Sequence, residues 1–254
     1  MQPQRSSPVK SVDTSITVIE GLRRLDGAGV TELANELGIA KSTVHDHLET
    51  LEANEFVVQR GDQYHIGLRF LDVGGLARQR MDLYTIARPE IEELADQTGE
   101  LANLVVEEHG RVVYLIMAQG ENAVNIDTYV GKREYLHSTA VGKAILAHLP
   151  EESIDRILET HGMAAQTENT ITDRDALVDE LEQVRSDGVA LDLEENSKGL
   201  RCVASPVLDP DGAVLGATSV SGPTTRFQGD WFEERLPELV KQISNVIEIN
   251  VTYS

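Results

Sequence analysis

Lysine, cysteine and aromatic residues are what this chain has least of. Six of its 254 residues are Lys, against 16 Arg, while Asp and Glu total 43, so the formal charge is −21. A protein that coats nucleic acid without regard to sequence needs a basic surface, and that class is excluded. Cys202 is the only cysteine. An internal disulfide framework and a multi-cysteine zinc site are thereby ruled out, and a reducing compartment is expected. Long apolar runs are missing too: the stretches 144–149 and 203–208 fall far short of the roughly 20 residues a membrane helix needs. Residues 1–10 have no apolar signal core, so a cytoplasmic location without membrane contact is expected.

What is present is enough apolar residue, 41% of the chain, to build cores, which argues against disorder. The acidic, lysine-poor surface with 4% aromatics resembles that of proteins from salt-loving organisms, and a halophilic archaeon is the expected source. Molar salt shortens the Debye length to about 3 Å, so the self-repulsion of such a surface is tolerated. The charge is unevenly spread. Residues 1–80 hold nine basic and eleven acidic side chains, whereas 81–254 hold thirteen and thirty-two. Any segment that approaches phosphate lies in the nearly neutral first third.

Along the chain, residues 1–10 are polar with two prolines and read as a flexible arm. Val12, Ile16, Ile19, Leu22 and Leu25 then recur at helical spacing up to Asp26-Gly27-Ala28-Gly29, which predicts a first helix. A second helix follows with Thr31 as its cap and Gly38 as its breaker, and a third covers about 41–54 with Val44, Leu48 and Leu51 inward. The runs 56–60 and 64–66 flank Gly61-Asp62-Gln63 and predict a hairpin. Three helices and a small hairpin are the element order of a winged helix-turn-helix, here 11–67. A linker helix over 68–80 leads to 81–254, where the pattern is α+β. Strands are expected at 102–107, 112–117 and 124–130, helices at 140–148, 151–161 and 173–186 (Thr172 as cap), strands at 189–193, 201–208 and 214–221, and a closing helix at 231–251. Strands grouped at both ends imply a mostly antiparallel sheet.

The third helix carries the strongest chemical signal. It presents Lys41, Ser42, Thr43, His45 and Asp46 on its first turns, where short polar groups reach phosphates and base edges in the major groove of double-stranded DNA. Ser42 and Thr43 also suit plain capping, and His45 a plain surface role. Arg60 and Gln63 on the hairpin are placed to reach the adjacent backbone or minor groove, although Arg60 equally suits an ordinary edge charge. Catalytic and cofactor motifs fail. Ala140-Val141-Gly142-Lys143 resembles the end of a phosphate loop, but His137 replaces its first glycine and Ala144 its magnesium-binding hydroxyl. His45 and His47 point to different sides of their helix, and no metal site, cofactor or catalytic site is expected. Cys202 in a strand fits a buried apolar residue, a redox sensor or a nucleophile. Ser219 and Ser221 share one strand face and offer two hydroxyls to one ligand. Asp192 opens an acidic turn.

Three stretches together resemble the IclR family of transcriptional regulators: GIAKSTVHDHLETLE, YLHSTAVGKAILA, and LDLEENSKGLRCVASPV with ATSVSGPTTR. In order, they extend the resemblance over roughly 11–250. It implies a two-domain α+β protein: a winged helix-turn-helix, a linker helix and a GAF-like effector domain. It also implies a homodimer or homotetramer that binds an operator and answers to a small organic or aromatic acid. By the same resemblance the effector contacts fall at Ala140 and Val141, through backbone N–H, and at Asp192, Cys202, Ser219 and Ser221. A ligand-free dimerisation scaffold and a Cys202-dependent enzyme are the alternatives. Asp46 departs from the family, whose members commonly carry a basic residue there, and Ala140-Val141 brings side chains to the pocket loop.

Overall fold

The structure is a computed structural model that describes residues 9–253, and the chain divides between Arg78 and Gln79 into two compact units. Most of the expected arm lies outside the described residues, and its last residue, Lys10, already opens α1. The first unit comprises α1 (Lys10–Leu25), α2 (Val30–Leu37), α3 (Lys41–Ala53), the hairpin β1 (Val57–Arg60) and β2 (Gln63–Ile66), and α4 (Arg69–Gln79). Val18, Leu22, Leu33, Val44, Leu48, Val57 and Tyr64 form its core. Val12 and Ile16, expected on the inward face of α1, are each 54% exposed. They lie along an outer stripe of the helix instead.

Gly38 ends α2 at φ +65°, a left-handed conformation that costs glycine no Cβ clash, and its N–H closes on the Ala34 carbonyl. That turn aims α3 away from α2. The caps differ from expectation. Gly29 and Ala40 precede α2 and α3 without side-chain capping bonds, so Thr31 lies within its helix and the hydroxyls of Ser42 and Thr43 are not used as caps. The hairpin is fastened by Tyr64, which is buried and exchanges backbone bonds with Ala28 at 3.1 and 2.9 Å. At the start of α4, the Arg69 guanidinium donates to the Asn54 carbonyl at 3.1 Å and sits over the Phe56 ring. No residue of α4 is buried.

The second unit contains α5 (Asp82–Thr98), β3 (Leu101–Glu108), β4 (Arg111–Gln119), β5 (Arg133–Glu134), α6 (Ala140–Leu146), α7 (Glu151–His161), α8 (Arg174–Asp187), β6 (Ala190–Leu193), β7 (Leu200–Leu208), β8 (Val214–Pro223) and α9 (Leu236–Thr252). Its six-stranded sheet has the order β5-β4-β3-β8-β7-β6, and every neighbouring pair is antiparallel. Period-two alternation sorts the strands between two cores. Ala102, Leu104, Val203 and Val220 pack with α5 and α9 on one face, while Val105, Ala190, Cys202 and Ala204 pack with α6 and α8 on the other.

Three details correct the expectations. Residues 124–130 are not a strand. Their apolar alternation is real, but Val124, Ile126 and Thr128 turn towards a cavity rather than a sheet, and β4 pairs instead with the two-residue β5. Asp173, not Thr172, caps α8, its carboxylate accepting from Ala176 N at 3.0 Å. The expected closing helix begins with a π-helical turn, Trp231–Arg235, before α9. Among the described residues, no helix is long and apolar enough to cross a membrane.

Candidate functional site

The structure presents two sites, one in each unit. On α3, Lys41, Ser42, His45 and Asp46 are exposed and Thr43 is half-buried, because Val44 and Leu48 take the inward positions. Arg60 and Gln63 face each other across the hairpin and are exposed as well. His47, two positions from His45, turns the other way and bonds Ser15 of α1 through Nδ1 at 2.8 Å. It ties α3 to α1. His45, Asp46 and Glu49 each bring a donor atom within 4.8 Å of the others, but all three are exposed side chains of one helix, which alone does not make a metal site.

The second site is a cavity of about 400 Å³ on the α6 face of the large sheet. Strand register assembles its floor. Asn103 on β3 lies opposite Ser219 on β8, while Ser221 on β8 lies opposite Cys202 on β7, which in turn lies opposite Asp192 on β6. All five therefore share one face, and Tyr114, Glu134 and the first residues of α6 close the walls. Ala140, Val141, Asp192, Cys202, Ser219 and Ser221, expected as effector contacts, all line this one cavity. Asn103, Tyr114, Lys132, Glu134 and Asn196 line it too and escaped sequence reasoning. Of these, Asn103 alone left a trace, as the single polar residue in the apolar run 101–106.

Electrostatics distinguishes the lining groups. Asp192 Oδ1 accepts from the backbone N–H of Glu195 at 2.6 Å and of Asn196 at 3.3 Å. Burial outweighs those bonds and raises its pKa to about 7, with the nearby Glu195 carboxylate adding to the rise. Glu134 accepts from the Tyr114 hydroxyl at 2.9 Å and from Lys132 at 3.2 Å, and burial pushes the Tyr114 phenol well up. Cys202 receives the Ser221 hydroxyl at 3.2 Å, and burial pushes its thiol up to about 12. Such a thiol stays protonated at neutral pH and is a poor nucleophile.

The start of α6 is shaped by close packing. Thr139 caps it by accepting from Gly142 N at 3.1 Å. A Cβ on Gly142 would fall 2.1 Å from the Leu136 carbonyl oxygen, so only glycine lets this helix lie against the preceding strand end. Lys143 turns away from the cavity, is 1% exposed, and pairs with Glu195 at 2.6 Å and Glu180 at 2.9 Å. His137 is buried against the Ala164 carbonyl, and desolvation lowers its pKa. Neither residue is placed as a phosphate loop would require.

The IclR helix-turn-helix domain matches residues 11–61, and the C-terminal domain of bacterial transcriptional regulator IclR matches residues 76–248. The chain belongs to the IclR family of transcriptional regulators. As an IclR-family protein it has an N-terminal DNA-binding domain and a C-terminal effector-binding domain. The probable HTH-type transcriptional regulator ArcR of Halobacterium salinarum is 35% identical, over 98% of this chain and 95% of its own. An IclR transcriptional regulator from Alicyclobacillus acidocaldarius has a crystal structure with a TM-score of 0.80 and 30% identity, covering 96% of this chain and 99% of that one. The fold is also that of an IclR homologue from Microbacterium hydrocarbonoxydans complexed with 4-hydroxybenzoate, with a TM-score of 0.81 at 20% identity, over 96% and 100% of the two chains.

Proposed function

We propose that this IclR-family regulator is a cytoplasmic homodimer, or a homotetramer built from such dimers, whose grip on an operator is set by a small acid in the C-terminal cavity. The observation that carries the reading is the convergence of Asp192, Cys202, Ser219 and Ser221, from three strands, on one cavity in the unit joined to a reading helix. A mere dimerisation scaffold gains nothing from polar groups gathered around a cavity. Catalysis is not part of the proposal, because the Cys202 thiol is held protonated.

On the DNA side, Lys41, Ser42 and Thr43 are assigned to phosphates, and His45 and Asp46 to base edges. Asp46 suits a cytosine amino group and not guanine, so the operator differs from those read by relatives with a basic residue there. Arg60 and Gln63 are assigned to the flanking backbone or minor groove. Dimerisation is supported by apolar side chains left in solvent on the first unit: Leu71 and Leu76 of α4 are 69% and 52% exposed, and Val12 and Ile16 of α1 are exposed as well. A dimer places its two α3 helices on half-sites about one turn of DNA apart. An effector that prefers one arrangement of the C-terminal units changes that spacing through α4, and a coupling of about 1–3 kcal/mol changes operator affinity 5- to 150-fold.

The test is fluorescence anisotropy on operator DNA recovered by footprinting beside the protein's own gene, with and without a panel of organic acids. We expect a palindromic footprint, and affinity that shifts with one class of acid in the wild type but not in Ser219→Ala/Ser221→Ala. A single unsymmetrical half-site would rule out the dimer, and an affinity indifferent to every acid would rule out the effector.

A further inference from the structure

One stretch of the second unit has the cavity on one side and solvent on the other. Residues 123–130 run between β4 and β5 without helix or strand. Val124 and Ile126 are half-buried and line the cavity, whereas Asn125 and Tyr129 are exposed. Both ends of the stretch are fixed. At the first, Gly120 packs so closely on the end of α5 that an added Cβ would lie 2.4 Å from the Ala95 carbonyl oxygen. Beside it, the Arg226 guanidinium pairs with the buried Glu100 carboxylate and donates to the Asn122 carbonyl at 2.7 Å. At the second, Gly131 takes a left-handed φ of +88° and donates to the Tyr114 carbonyl at 2.8 Å, just before β5 joins the sheet.

Between these anchors little holds the chain down. Among the described residues, the hydrogen bonds of 123–130 run only within the segment or to Gly120 and Lys132. Lys132 is the one firm tie. Its backbone carbonyl accepts from Tyr114 N at 3.2 Å, which fixes it to β4. From there its ammonium donates to the Asp127 carbonyl in mid-segment and pairs with Glu134 on the cavity wall at 3.2 Å. A segment with so few bonds to the body of its domain opens at a free energy far below that of global unfolding. Loops that cover binding sites move in this way.

We propose that residues 123–130 form a lid over the effector cavity, with Gly120 and Gly131 as its fixed ends and Lys132 as the latch that keeps it shut. The inference rests on the effector reading given above and adds how that cavity is gated. With the lid closed, Val124 and Ile126 separate the cavity from solvent, and a ligand enters or leaves when the lid opens. Cys202 on the cavity floor is buried and is the sole cysteine of the chain, so its thiol reports opening without any ligand.

The test is labelling of Cys202 in the full-length protein by methyl methanethiosulfonate, followed by mass spectrometry. The thiolate attacks the methylthio sulfur, a mixed disulfide forms, and methanesulfinate leaves. Rates are measured in urea below the unfolding transition. We expect the wild-type rate to change little with urea, because lid opening exposes little surface, whereas a thiol reached by global unfolding reacts steeply faster. Lys132→Met should speed labelling about tenfold. Removing a cation disfavours the thiolate, so that gain cannot come from thiol reactivity. Val124→Ser combined with Ile126→Ser should act in the same direction and serves if Lys132→Met does not fold. A wild-type rate as steep in urea as global unfolding, or variants that label no faster than wild type, would overturn the lid. Either result leaves the effector reading to the anisotropy experiment, which uses acids and operator DNA and no thiol reagent.

Discussion

Asp192 illustrates how a single carboxyl can be both structural and sensitive to solution conditions. Burial raises its pKa to about 7 in the folded protein, against 3.8 for the free group. Between those values the folded chain holds a proton that the unfolded chain has released. The resulting stabilisation is complete below about pH 4 and is lost as pH rises through 7. Urea unfolding from pH 4 to 8 should therefore show wild type losing ground steadily to Asp192→Asn, and a constant difference between the two would contradict the assignment. Lys143 gives the complementary case. It is a buried cation between two carboxylates, and Lys143→Ala should cost about 3–5 kcal/mol in denaturant unfolding because Glu195 is left buried and unpaired. These residues were not equally legible in the sequence. Ser219 and Ser221 sit two apart on one strand, so their common face could be read directly. Asn103 and Glu134 could not be joined to them, because that depends on which strands become neighbours, and register over such distances has no local signature.

At the scale of elements, periodicity located nearly every helix and strand, while caps and one loop went astray. Thr31 and Thr172 have the right chemistry for capping and lost to Gly29 and Asp173, since a shift of one or two residues in a helix start depends on packing. The 124–130 segment has strand-like alternation because one side faces the cavity, and alternation alone does not say what the inner side meets. The linker helix α4 was legible as a helix, but its lack of any buried residue was not. That exposure supports a dimer, and Leu71→Glu combined with Leu76→Glu should convert the protein to monomer in size-exclusion light scattering while its melting temperature as a monomer is retained. On α3, Lys41→Ala should weaken binding to all DNA sequences alike and lower the slope of log affinity against log salt by about 1.

For the whole molecule, the charge of −21 is a liability in dilute buffer and a tolerable surface in concentrated salt. The melting temperature should rise between 0.1 and 2 M KCl, as measured by scanning calorimetry. Because residues 1–80 are close to neutral, operator binding should show a shallower salt slope than a strongly basic repressor. A steep slope in the same titration would contradict that expectation. The architecture adds a temporal consequence. The central strands of the large sheet, β3 and β8, come from opposite ends of the second unit, and Asn103 bonds Ser219 across a separation of 116 residues. At about 5–20 residues per second, a ribosome takes roughly 6–23 s to make that stretch. The winged unit needs nothing beyond residue 79 for its own elements. A nascent chain can therefore finish its first unit while the cavity of the second still lacks most of its floor.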